Sequence, residues 1–195
     1  MKKPLFFLLL IIHFNAFSQE RGIGIRVGEP FSITYKDFLN DYLSLEGTLG
    51  IAGVNSDTYY QEAFENNLPN SDAFYLSNSA KRGVSIQLRT AYHEDFSESF
   101  GIKKGYILGY GGLGAQFRTT NVNYVYNLSR GAISQDELQE KRTDINFGPE
   151  IFIGVEYYFD EIPINVFVEG GLFLEILTTS PHAKGQGGAG LRYII

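Results

Sequence analysis

The stretch PINVFVEGGLFLEIL, residues 163–177, restricts the fold more than any other part of the sequence. In an extended chain Ile164, Val166, Val168, Gly170, Leu172, Leu174 and Ile176 share one face, which carries no charge. Asn165, Phe167, Glu169, Gly171, Phe173 and Glu175 share the other. A period of two specifies a strand rather than a helix. The charge-free face covers roughly 43 Å at about 3.3 Å per residue, and a tilt of about 40° projects it onto about 33 Å. Soluble strands average about 5–6 residues, whereas a bilayer's hydrocarbon layer is about 30 Å thick. The length therefore fits a strand that crosses a membrane.

The same split recurs. GVSIQLRTAYH places Val84, Ile86, Leu88, Thr90 and Tyr92 opposite Ser85, Gln87, Arg89, Ala91 and His93. YLSLEGTLGI sets Leu43, Leu45, Leu49 and Ile51 against Ser44, Glu46, Thr48 and Gly50, and EIFIGVEYYF sets Ile151, Ile153, Val155, Tyr157 and Phe159 against Glu150, Phe152, Gly154, Glu156 and Tyr158. No stretch of 11–18 residues keeps a helical period of 3.6. Short connections (KDFLND, HEDFSESFGIKK, FDEIP) alternate with long polar ones, 55–81 and 119–143, and a medium one around TTSPHAK. This alternation suits a membrane barrel, with short turns on the periplasmic side and longer loops outside. Seven strands are counted if RGIGIRVGEPFSITYK is one strand, whereas bacterial single-chain barrels have an even number. A hairpin turning at Gly28–Pro30 restores the parity; one long bent strand is the competing reading.

The composition is rich in glycine (22), tyrosine (13) and phenylalanine (16), with no tryptophan or cysteine. Aromatic residues fit a pleated surface and glycines serve its turns and close approaches. Without cysteine there is no disulfide framework, so burial and backbone pairing must hold the fold. The opening MKKPLFFLLLIIHFNAFS has a basic start, an apolar run too short to span a bilayer as a helix, and small residues at Ala16 and Ser18. It reads as a signal peptide, residues 1–18, cleaved near Ser18/Gln19, with one domain over 19–195. Its removal takes away Lys2 and Lys3, so the net charge falls from -6 to -8 (-6 minus 2). A chain this acidic, with no cluster of Lys and Arg, is not expected to bind nucleic acid.

With these strands, this loop pattern, the signal peptide and a terminal strand GQGGAGLRYII, the chain resembles the small outer-membrane β-barrel proteins of Gram-negative bacteria. The resemblance covers the whole of 19–195. It implies an all-β fold, an up-and-down antiparallel transmembrane barrel of eight strands, in the outer membrane, in contact with its lipid and monomeric. In that family the last strand carries an assembly signal read by the barrel assembly machinery, a glycine followed by alternating apolar or aromatic residues to the C-terminus. Gly190, Tyr193 and Ile195 match it, with Ile195 where the family usually has Phe and Gly188 where it usually has a polar residue.

If the mixed face points inward, Arg26, Lys36, Arg89, Arg118 and Arg192 can pair in the lumen with Glu46, Glu156, Glu169 and Glu175. Eight strands leave an interior just wide enough for side chains, and buried charges persist there only when paired. An Arg on the lipid face near the midplane costs about 2–4 kcal/mol, which demands the uncharged outer face. Tyrosines are expected at the membrane interfaces, ring in the apolar layer and hydroxyl at the headgroups. A soluble, lipocalin-like binder of a hydrophobic ligand is the opposite arrangement, with its apolar face inward.

Signs of catalysis are few, no cofactor or metal site is expected, and the barrel is expected to be non-enzymatic, with a structural or adhesive role or a minor one in passing small solutes. GYGGLG at 109–114 fits G-x-G-x-x-G, but a polar, β-like segment follows instead of a helix, and GQGGAG at 185–190 repeats the pattern five residues before the end. These glycines are expected to make room in a narrow lumen, with a β-bulge at Gly111 or Gly112 shifting Leu108 and Tyr110 out of phase with Leu113, Ala115 and Phe117. After signal cleavage His93 and His182 remain. His93 is expected at a periplasmic turn and His182 in a surface loop. His182, with Ser180 close by, is the one candidate base for a lipid A-modifying enzyme on this scaffold. Glu169 and Glu175 lie roughly 20 Å apart on one strand, too far to share a substrate bond. Asp57, Glu62, Glu65 and Asp72 make the 55–81 segment acidic, which reads as a solvated loop.

Overall fold

The computed structural model describes residues 20–128, 137–176 and 182–195, so the signal segment lies outside the described residues. Eight strands follow one another around a closed barrel, each antiparallel to its neighbours: β1 (Arg21–Glu29), β2 (Phe31–Phe38), β3 (Leu43–Ala52), β4 (Phe74–Asp95), β5 (Tyr106–Asn127), β6 (Leu138–Tyr158), β7 (Ile164–Glu175) and β8 (His182–Ile194). Closure comes from β1 against β8, with Gly22 opposite Ile194 and Glu29 opposite Gly187. Glu20 and Ile195 lie at one end, here the lower, with the turns after β2, β4 and β6.

Strands β1 and β2 form a hairpin, Arg26 pairing with Ser32 and Arg21 with Asp37. Gly28 makes the turn possible: its φ of 142° lies where side-chain-bearing residues are strained, and an added Cβ would sit 2.2 Å from the Gly187 carbonyl oxygen. The reading as one long strand is thereby excluded.

Strands β4, β5 and β6 run for 22, 22 and 21 residues, far longer than the pattern of apolar residues implied. At about 3.3 Å per residue and a tilt of about 40° each projects onto roughly 55 Å. The polar segments 55–81 and 119–143, expected as loops, are largely ordered structure. Of the second, 119–127 and 138–143 are the upper part of β5 and β6. The first holds a helix, α1 (Asp57–Glu65), and the start of β4. Ser56 caps α1, its hydroxyl accepting from the Tyr59 amide, and Tyr59, Tyr60 and Phe64 form its buried side.

The expected bulge at Gly111–Gly112 is absent. β5 pairs without interruption from Tyr106 to Tyr126 with β6, and the register shifts lie on β4, between Tyr75 and Ser77 and between Arg82 and Ser85. Tyr110 points inward, in phase with Gly112, Gly114, Gln116 and Arg118, because its hydroxyl donates to Glu169 at 2.9 Å inside the barrel. An aromatic ring read from sequence as an outward residue is in fact a lumenal hydrogen-bond donor.

Candidate functional site: the lumen and the structure above it

Along the lower barrel the outer surface is apolar. Ile25, Ile33, Leu49, Ile86, Leu113, Ile153, Val168 and Leu191 all point outward and are exposed. Tyr42, Tyr92, Tyr157, Phe159 and Tyr193 gather near its lower edge, Tyr42 and Tyr92 stacking at 6.0 Å and Tyr157 meeting Phe159 edge-on at 4.8 Å. Eight of the thirteen tyrosines instead lie inside the barrel or in the upper structure, contrary to a simple interfacial belt.

Inside, the structure brings together all nine predicted lumen charges. Arg26, Lys36, Glu46, Arg89, Arg118, Glu156, Glu169, Glu175 and Arg192 are each under 6% exposed. In the lowest tier Glu156 accepts from Lys36 at 2.8 Å and Arg192 at 3.1 Å, and Arg192 also reaches Glu46 at 2.6 Å. In the middle tier Glu169 joins Arg26 and Arg89, both at 2.8 Å. Higher up, Arg118 and Glu175 pair at 3.2 Å. Arg89 and Arg192 lie over the rings of Phe152 and Phe167, 3.6 and 3.8 Å from their centroids, which explains why phenylalanines share the mixed face with charges.

Two members of this interior were not among the predicted lumen charges. Glu150 sits 3.1 Å from Arg89 and accepts from Gln87 at 2.6 Å. With it, five buried cations (Arg26, Lys36, Arg89, Arg118, Arg192) face five buried carboxylates (Glu46, Glu150, Glu156, Glu169, Glu175). Its place on the same strand face as Glu156 was the available signal. His93 is the second. It is no turn residue but lies within β4, 1% exposed, 2.8 Å from the Ser44 hydroxyl and 3.3 Å from Glu156. The apolar stretch of β4 ends in outward Tyr92, and one further residue is enough to bring His93 back inside.

Side chains fill this interior. Voids beside Arg26, Gln87 and Arg89 and beside Lys36 and Arg192 measure about 10 Å³ each, no more than the space of about one water. Glycine permits the density: a Cβ on Gly112 would approach Phe152 to 2.6 Å, and one on Gly114 would approach Glu150 to 2.7 Å and Arg89 to 2.9 Å. The room-making assigned to GYGGLG thus belongs to these two residues.

Above the apolar belt the interior changes character. The α1 residues Tyr59, Tyr60 and Phe64 pack against Val122 and Tyr124 of β5, with Tyr75, Ala80 and Tyr126 around them. Phe64 lies 5.1 Å from Tyr124 and 5.6 Å from Tyr126, ring to ring. The segment leading into α1 closes the barrel mouth: Arg118 donates to the Gly53 carbonyl, Asn55 donates to Glu175 at 3.1 Å, and the Asn55 amide donates to the Tyr60 hydroxyl at 3.0 Å. Burial, with Asp144 nearby, pushes the Tyr124 hydroxyl up to about 12. The hydrogen-bonded Glu140 carboxylate raises Arg142 above its ordinary value.

His182 opens β8, exposed, its ring 5.4 Å from that of Tyr59. Ser180, its suggested partner, lies outside the described residues. Among the described residues no group of three or more His, Asp or Glu side chains is arranged to hold a metal. Gly190 faces inward against Phe167, while Tyr193 and Ile195 face outward, 52% and 65% exposed.

Neither a protein-family model nor a curated protein matches the sequence. Solved structures do. The N-terminal β-barrel domain of Pseudomonas aeruginosa OprF superimposes with a TM-score of 0.50 at 13% identity, over 90% of this chain and 96% of that one. This chain has the fold of the small outer-membrane β-barrels. Ail, the attachment invasion locus protein of Yersinia pestis (TM-score 0.43, 11% identity, 90% and 95% covered), and Neisserial surface protein A (0.43, 12%, 89% and 92%) are also similar. At these identities the likeness to the outer-membrane barrels concerns architecture: all-β, eight strands, up and down.

Proposed function

We infer that this chain is a non-enzymatic outer-membrane β-barrel protein of a Gram-negative cell envelope, whose interactions are made by the structure standing above the membrane. The observation that carries the reading is the pairing of an apolar outer belt with a charge-balanced interior. Apolar side chains that no protein covers are stable in hydrocarbon, and ten charges are stable inside because each has a partner. A lipocalin-like binder needs the reverse arrangement. In this reading the belt meets outer-membrane lipid, residues 1–18 direct export and are removed near Ser18/Gln19, and the C-terminal strand with Gly190, Tyr193 and Ile195 engages the barrel assembly machinery. The role is structural or adhesive and the barrel acts as a monomer.

Voids of about one water also argue against solute passage through the lumen. Cell fractionation tests the placement: the protein is expected in the outer membrane, with a gel band whose mobility changes on boiling. Recovery as a detergent-free soluble monomer would sink the reading. In planar bilayers the purified protein is expected to give no steady single-channel conductance.

A further inference from the structure

The extended part of β4, β5 and β6 has two unlike faces. Its inner face carries the aromatic cluster together with Glu140, Arg142 and Asp144. Its outer face, in rows fixed by strand pairing, presents Ser79 beside Asn123 and Lys141, then Lys81 beside Asn121 and Thr143. These six residues, with Val122 and Arg142 between them, line one depression of about 540 Å³. No carboxylate lies among them, and neither lysine has an ion-pair partner among the described residues. In a chain of net charge -6 an acid-free patch of two lysines, amides and hydroxyls is a local reversal of sign.

Its height matters as much as its charge. Asn121 pairs with Thr143, two residues above Ile145, the uppermost exposed apolar residue on the outer face of β6, and Asn123 pairs with Lys141, four residues above it. The two rows stand about 7 and 13 Å along the strand, roughly 5 and 10 Å along the membrane normal at a tilt of about 40°. The polar layer flanking the hydrocarbon is about 5–8 Å thick on each side. The face therefore stands beside the headgroups and first sugars of the outer leaflet, and looks sideways at them rather than up into solvent.

We propose that this face binds the phosphorylated saccharide headgroup of an outer-leaflet glycolipid, Lys81 and Lys141 meeting phosphate and Asn121, Asn123, Ser79 and Thr143 meeting sugar hydroxyls. The lysines act as point charges on phosphate oxygens, and the amides and hydroxyls supply both donors and acceptors for sugar hydroxyls. The assignment rests on the outer-membrane reading above.

The test uses the full chain refolded in zwitterionic micelles, its insertion verified by the boiling-dependent gel shift. Bis-phosphorylated lipid A, the same glycolipid dephosphorylated, and a soluble sugar phosphate without acyl chains are titrated, with amide resonances of 79–81, 121–123 and 141–143 as readout. The phosphorylated glycolipid is expected to bind at least tenfold more tightly than either other ligand and to shift those resonances. The Lys81→Gln/Lys141→Gln protein is expected to lose that preference while keeping the gel shift. An inserted barrel whose preference survives the double substitution, or that binds the dephosphorylated glycolipid or the soluble sugar phosphate equally well, overturns the proposal. Absence of the gel shift counts against the membrane reading instead.

Discussion

Two regions of one barrel, built from the same three strands, solve opposite problems. In the lower half of β5 the outward residues are Leu113, Ala115 and Phe117 and the inward ones Gln116, Arg118 and Thr120. A few residues higher the order is inverted, with Asn121 and Asn123 outward and Val122, Tyr124 and Tyr126 inward. The strand's alternation never breaks, so the backbone does not decide which face is apolar. On the outer-membrane reading proposed above, the surroundings do: hydrocarbon outside requires charge inside, and water outside permits an ordinary hydrophobic core. Below, stability depends on complete pairing of ions, where one missing partner is costly. Above, it depends on buried aromatic area, which is lost more gradually.

Substitutions can separate the two regimes. Arg192→Ala strips one partner from both Glu46 and Glu156, and breaking a buried ion pair costs about 3–5 kcal/mol. Urea unfolding in micelles should show that loss for the whole barrel; a change under 1 kcal/mol would mean that water replaces the guanidinium. Phe64→Ala removes the centre of the upper core and is expected to cost about 3 kcal/mol, near the low end for Phe→Ala. Here the loss should appear as faster amide exchange across 57–65 with unchanged barrel melting, and a global loss would show that the two regions fold as one. Ile153→Arg, on the belt, is expected to destabilise by about 2 kcal/mol. Asn121→Arg, on the same outward side but above the belt, should remain within about 0.5 kcal/mol; equal costs would erase the distinction.

The smallest effect concerns pH. Tyr124 loses its proton in the folded protein only near pH 12, against an unfolded value of about 10. The folded state therefore holds this proton more tightly, and the stabilisation is full below about pH 10 and disappears as pH rises towards 12. Exchange across 57–65 should accelerate over that interval, and Tyr124→Phe should flatten the dependence.

The barrel was legible in the sequence because each lower strand has one face without charge, a pattern that survives errors about its ends. Lumen charges could be identified as a set for the same reason. Single residues near strand ends were less legible: the alternation puts His93 on the mixed face but does not show that the strand continues past it, and the side of Tyr110 depends on whether a bulge intervenes. Helix α1, nine residues long, is shorter than any window in which a 3.6 period can be recognised. The upper strands carried a readable signal, Val122, Tyr124 and Tyr126 alternating with Asn121 and Asn123. It is obscured by the Asn, Thr, Ser, Gln and charged residues that make up most of 119–143. Glu150, the carboxylate that completes the charge balance, shares the strand face of Glu156, but its contact with Arg89 comes from the pairing of both residues with Gly114 across three strands and is not in the pattern.

The hairpin of β1 and β2 turns at Gly28, and its flanking Val27 and Phe31 are still outward apolar residues. Among the described residues one side of the rim therefore ends almost level with the apolar belt, while β4 to β6 rise as a three-stranded wall. On the outer-membrane reading, the described part of the crown is a lopsided parapet, low along β1 and β2 and high along β4 to β6, so that a bulky ligand, antibody or neighbouring protein meets a different height on each side.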